Sequence, residues 1–124
     1  MTVAENKVLW SGESLMGSGE TINLDGTVSN QANGIVLVFS LYRNGHAENV
    51  AINSCFKSKK EIELLPGCRH TFLMNIADFS FVGSKYLYIY NNKIVGHEGN
   101  ELTGTNSGIT FKNNNYVLRY VIGV

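Results

Sequence analysis

The sequence predicts an all-β domain, an antiparallel β-sandwich or jelly roll of about eight strands spanning residues 1–124. Three observations predict it. Turn signals recur about every ten residues, and the runs between them alternate or are β-branched, with no stretch of helical period. The third is Gly34–Arg43, whose Ile35, Leu37, Phe39 and Leu41 point one way and Val36, Val38 and Tyr42 the other, with Ser40 the only polar residue between them. A strand apolar on both faces is normally a central one, covered on each side.

Taken in order, Lys7-Val8-Leu9-Trp10 reads as a first short strand ended by Ser11-Gly12, with Ser14-Leu15-Met16 as a second fragment. Glu20 to Leu24 alternates as a half-buried strand does, and Asp25-Gly26 is a tight-turn pair. A polar connector from Val28 to Asn33 feeds the central strand. Asn44-Gly45 then demands a type I′ hairpin, because both positions tolerate positive φ, and the return strand runs from Ala47 to Lys57. Lys57 to Lys60 reads as a solvated loop or edge, and Glu61 to Leu65 as another strand closed by Pro66-Gly67. Arg69 to Ile76 alternates, with Phe72, Met74 and Ile76 opposite Leu73. Phe79 to Val82 is a fragment ending at Gly83. Lys85 to Tyr90 and Lys93 to His97 form a second two-residue hairpin about Asn91-Asn92. Glu98 to Gly108 reads as a polar loop, after which Ile109–Phe111 opens a last hairpin that turns at Asn113–Asn115 into Tyr116–Val124.

The bulk composition sets limits. The 124 residues suit one domain, and 44% hydrophobic content can supply its core. Ten basic and ten acidic residues cancel, and only 16% of the chain is charged, which excludes the basic surface that nucleic acid or an anionic membrane needs. The N-terminal residues 1–6 are expected to be flexible and carry no basic-then-apolar secretion signal. No apolar run reaches the roughly 18–20 residues of a membrane-spanning helix. A soluble chain made in the cytoplasm is expected. Cys55 and Cys68 read as two separate buried thiols on strands, a disulfide between them being the alternative.

No residue pattern calls for catalysis. There is no Gly-x-Ser-x-Gly elbow, and Glu61 and Glu63, placed on one strand face, read as a solvated edge and not as a catalytic pair. His46, His70 and His97 are far apart in sequence and, apart from His97-Glu98, sit beside no Cys or acid at ligand spacing, so no metal and no cofactor is expected. The most informative constellation is Tyr86, Tyr88 and Tyr90, which period-2 spacing sets in a row on one strand face. Such rings pack a core edge or a neighbouring subunit, or they stack on the apolar faces of sugars. For a sugar site the other candidates are the loop residues Tyr42, Arg43, Asn44 and His46, with the 98–107 loop beside them. The central strand and the last strand are both apolar on two faces; on the last, Tyr116, Leu118, Tyr120 and Ile122 oppose Val117, Arg119 and Val121. A second buried surface is expected, and with it a homo-oligomer.

Three stretches, with the Ser107-Gly108-Ile109-Thr110 lead-in, carry a resemblance: Asn33–Ser40, Gly83–Ile89 and the ending Tyr116–Val124. Together they resemble a small C-terminal domain of tail-fibre, baseplate and minor structural proteins of phages and prophages of Gram-positive bacteria. The resemblance runs from about Lys7 to Val124 through core strands, without a catalytic signature and without binding residues to carry over. It implies a non-enzymatic structural or adsorption role on the virion, a homotrimer, contact with other virion proteins, and cell-wall carbohydrate as ligand. The alternatives are a monomeric carbohydrate-binding module not tied to a virion, and a glycan-modifying enzyme drawing on Glu98, Glu101 and Asp78.

Overall fold

The computed structural model describes residues 6–74 and 81–124, which form a two-sheet β-sandwich. The first sheet is built from β1 (Lys7–Ser14), β3 (Gly34–Arg43), β5 (Asn53–Ser58) and β11 (Tyr116–Gly123) in the order β1-β11-β3-β5, with the short β4 (His46–Ala47) prolonging the hairpin beyond β3. The second holds β2 (Thr21–Asn23), β6 (Cys68–Met74), β7 (Phe81–Ile89), β8 (Lys93–Val95), β9 (Thr103–Asn106) and β10 (Ile109–Lys112). Ile35, Leu37, Phe39 and Leu41 of β3 are all buried, in one core with Phe72 and Met74 of β6 and Leu87 and Ile89 of β7. The rings of Phe39 and Phe72 meet across the sheets at 5.4 Å. Each such side chain removed from water contributes roughly 1.5–3 kcal/mol.

The central place expected for Gly34–Arg43 is the one it takes, between β11 and β5. It starts at Gly34 because φ there is +153° and a Cβ would lie 2.2 Å from the Lys57 carbonyl oxygen. It ends at Asn44-Gly45, whose φ values of 56° and 81° make the expected hairpin turn. β11 departs from simple alternation. A register shift between Leu118 and Tyr120 bulges the strand at Arg119, so that Tyr116, Leu118 and Val121 are buried while Tyr120 is exposed.

Several expectations give way. Eleven strands are present among the described residues where about eight were expected, since short ladders replace loops. β1 does not stop at Ser11-Gly12 but passes through them, with its ladder to β11 irregular there. The return strand is split, because the chain leaves the ladder after Ala47, takes φ 53° at Ala51, and rejoins β3 at Asn53. Lys59–Leu64 is a helix, α1, not a loop and a strand. Ser58 caps it by accepting the Glu61 N–H at 3.1 Å, and Glu61 and Glu63 pair instead with Lys57 and Lys60. β7 runs unbroken through Gly83, and the Asn91-Asn92 hairpin forms without positive φ. β10 pairs with β9, and in parallel with β7, so it makes no hairpin with β11; Asn113–Asn115 instead carries the chain to the other sheet. Both cysteines are free, but Cys55 is half-buried and Cys68 exposed, so neither is the buried thiol expected. Residues 1–5, Ile76, Asp78 and Phe79 lie outside the described residues.

One flank of β7 positions everything that follows. At its C-terminal end this flank pairs with β8 through Tyr88 and Ile89, and at its N-terminal end with β10 through Phe81 and Val82. Between them no strand of the described residues reaches it, and two asparagine side chains take the strand's place. Asn100 accepts the Tyr86 N–H at 2.6 Å and donates to the Tyr86 carbonyl at 2.9 Å, while Asn113 accepts the Ser84 N–H at 2.8 Å. Backbone groups this far from water must be paired, and here the loops supply the partners. Between them Lys85 turns inward, fully buried, and donates to the carbonyls of Leu15 and Asn100 at 3.0 and 2.9 Å.

Candidate functional site

Along β7 the alternation is strict: Lys85, Leu87 and Ile89 are buried, and Tyr86 and Tyr88 stand half-exposed on the outer face of the second sheet. β6 sets Arg69 opposite Tyr88 and Thr71 opposite Tyr86. From the other flank comes His97, just beyond β8, held as the cap of the Glu98–Glu101 turn by accepting the Gly99 N–H on Nδ1 at 2.9 Å. Its ring lies 5.4 Å from that of Tyr86 and 6.0 Å from that of Tyr88. The Arg69 guanidinium lies 5.7 Å from the Tyr86 ring, and its Nη1 is 3.3 Å from His97 Nε2. Three rings and one guanidinium thus converge from three segments on an open sheet face. Gly99 makes the approach possible, since a Cβ there would meet His97 Nδ1 at 3.0 Å and the Tyr86 ring at 3.1 Å.

The other expected site residues fall elsewhere. Tyr90 continues the parity of Tyr86 and Tyr88, but it lies past the strand, against Gly67 and under the Lys93 ammonium at 5.0 Å. Tyr42, Arg43 and Asn44 line a shallow cleft of about 340 Å³ with Asn114 and Asn115, on the hairpin end of the first sheet. There Arg43 is held by Glu48 through bonds of 2.7 and 3.1 Å, and His46 turns back on the Asn44 carbonyl at 3.3 Å. The structure therefore does not bring these four to the tyrosines of β7. Arg69 and His97 stand beside the tyrosines without being among the residues expected there. The alternation marks the tyrosine face, but only the register of β6 against β7 and the Gly99-dependent turn reveal what stands beside it.

His70, buried on β6, has its pKa lowered, first by burial, then by the Lys57 ammonium, with Glu61 acting the other way from 4.0 Å. Burial brings Lys85 down to about 7 against the opposing pull of Glu101 and Glu20, and pushes the Tyr116 phenol up to about 12. Among the described residues no three of His, Cys, Asp and Glu gather as a metal site would require. Another cleft, of about 400 Å³, is lined by Ile62 and Pro66 with Lys59 and Glu63, but these two charges are engaged by the Gln31 carbonyl and Lys60. No helix among the described residues is long and apolar enough to cross a membrane. Neither a scan against protein-family models nor a search of curated proteins finds a match to this chain.

Proposed function

We propose that the chain is a non-enzymatic adhesion domain of a phage-type virion protein, which binds cell-wall carbohydrate through Tyr86, Tyr88, His97 and Arg69. The observation that carries the reading is the exposed aromatic face of β7, flanked by a guanidinium and an imidazole. Pyranose rings present C–H surfaces that stack on such aromatics, while guanidinium and imidazole groups hydrogen-bond the ring hydroxyls. The virion setting rests on the resemblance of the strand sequences. The test is retention of the purified chain on isolated Gram-positive cell walls. The Tyr88→Ala and Tyr86→Ala variants are expected to lose roughly tenfold in affinity each, as removal of a stacking aromatic does. Unchanged retention in both would remove this face from the account.

A second observation favours self-association, as a trimeric fibre or tail-tip module requires. On the outer face of the first sheet Val8, Ile122, Val36 and Phe56 stand in one cross-strand row, each directly paired with the next. Val8 and Phe56, at its two ends, are each 51% exposed, and exposed Tyr120 lies beside Val38 on the same face. This is the second apolar surface that the doubly apolar strands call for, and a second copy of the chain can cover such a row, with Arg119 over the Tyr120 ring as the charge beside it. Light scattering of the wild type is expected to give three chains, and of a Val36→Lys, Phe56→Glu double variant a monomer. A monomeric wild type would contradict the association and favour a monomeric carbohydrate-binding module.

A further inference from the structure

The contact between Arg69 and His97 has the wrong polarity to be a hydrogen bond. His97 Nδ1 accepts the Gly99 N–H, and a neutral imidazole carries a single proton, so that proton sits on Nε2. Arg69 Nη1, 3.3 Å from Nε2, belongs to a guanidinium that has donors only. Two N–H donors therefore face one another beside the Tyr86 ring, and among the described residues no acceptor is bonded to both. Nor is the guanidinium charge neutralised nearby. The ion pairs among the described residues engage Lys7, Arg43, Lys57, Lys60 and His70 but not Arg69. Convergent donors around an unpaired positive charge select an anionic oxygen, because charge-assisted bonds are about twice as strong as neutral ones.

We propose that this point receives the acidic group of an anionic saccharide, a carboxylate or a phosphate, one oxygen accepting from both Arg69 Nη1 and His97 Nε2. The adjoining sugar ring then lies against Tyr88 and Tyr86, so the inference rests on the saccharide reading and narrows it to acidic sugars. Gly99 is a positioning residue for the pair, because its N–H fixes the imidazole tautomer.

Nitrogen-15 NMR of the full chain tests the premise directly. The Nε2–H tautomer is expected at His97, and an Nδ1–H tautomer would overturn the proposal, since Arg69 would then simply donate to Nε2. Inorganic phosphate and acetate are titrated next. Saturable shifts at the His97 ring, weakened about tenfold in Arg69→Gln and by added salt, support it, and no shift with either anion sinks it. Finally glucose, glucuronate and glucose 6-phosphate are compared. One or both charged sugars should bind at least about tenfold more tightly than glucose, the better of the two telling carboxylate from phosphate, and Arg69→Gln should erase that preference. Equal binding of all three, unaltered by Arg69→Gln, overturns the acidic preference and leaves the saccharide platform standing. Phosphate binding with no sugar bound overturns the saccharide reading and leaves the pair as an anion site alone.

Discussion

Lys85 is fully buried on a strand whose neighbours of the same parity are Leu87 and Ile89. Its pKa is brought down to about 7 by burial, so between about 7 and its ordinary 10.5 the unfolded chain binds a proton that the folded chain does not. Stability is therefore expected to rise as pH increases from 7 towards 10. Thermal melts should show this rise in the wild type and a smaller one in Lys85→Met. Tyr116 reverses the trend further up. Its pKa, raised to about 12 from 10.0 by burial, makes stability fall as pH climbs between those values, and Tyr116→Phe should remove that fall. His70 acts at the acid end. Its lowered pKa means that stability is fully present above 6.5 and is lost as pH falls through the folded value. Its Nε2 is buried without a hydrogen-bond partner among the described residues, so His70→Leu is expected to flatten the acid limb and to leave stability at neutral pH unchanged or higher. A steeper acid loss in that variant would contradict the assignment.

At the scale of elements, the flank of β7 depends on a side chain in place of a strand. Asn100→Ala leaves the Tyr86 N–H and carbonyl unpaired and should cost roughly 3 kcal/mol in chemical denaturation, with Asn100→Asp no rescue because its second oxygen would face the Tyr86 and Met16 carbonyls. A loss below about 0.5 kcal/mol would mean that the ladder closes without it. This also marks how far the sequence could be read. The period-2 pattern of Gly34–Arg43 and of Cys68–Met74 reports faces correctly, because burial on a strand is a local alternation. The Asn44-Gly45 turn is legible for the same reason, being decided by two residues. Asn100 looks like any loop asparagine until the strands beside it are placed, and the bulge at Arg119 inverts the faces of β11 through a non-local ladder with β3. The helix is legible only through its cap, since Ser58-Lys59-Lys60-Glu61 is a capping sequence but six residues are too few to show a period. The tyrosine face could be read from alternation, whereas Arg69 and His97 reach it through pairing register and a turn that no local pattern announces.

At the scale of the whole molecule the two outer faces differ in kind. That of the first sheet is an uncharged apolar row from Val8 to Phe56, suited to another copy, and that of the second sets tyrosines among Arg69 and His97, suited to a soluble polar ligand. The proposed assembly and saccharide faces lie on opposite sides of the sandwich, so under this proposal Val36→Lys with Phe56→Glu should abolish association while each monomer keeps its affinity for a single saccharide. Avidity for a cell wall, in contrast, should fall with the loss of multiple sites. The most direct test of the central claim is the affinity of the purified chain for isolated Gram-positive cell-wall polysaccharide, compared with that of a Tyr86→Ala, Tyr88→Ala variant whose circular dichroism matches the wild type. Saturable binding that the variant loses by at least about tenfold is the result predicted. Wild type and variant binding alike, or neither binding at all, would contradict it.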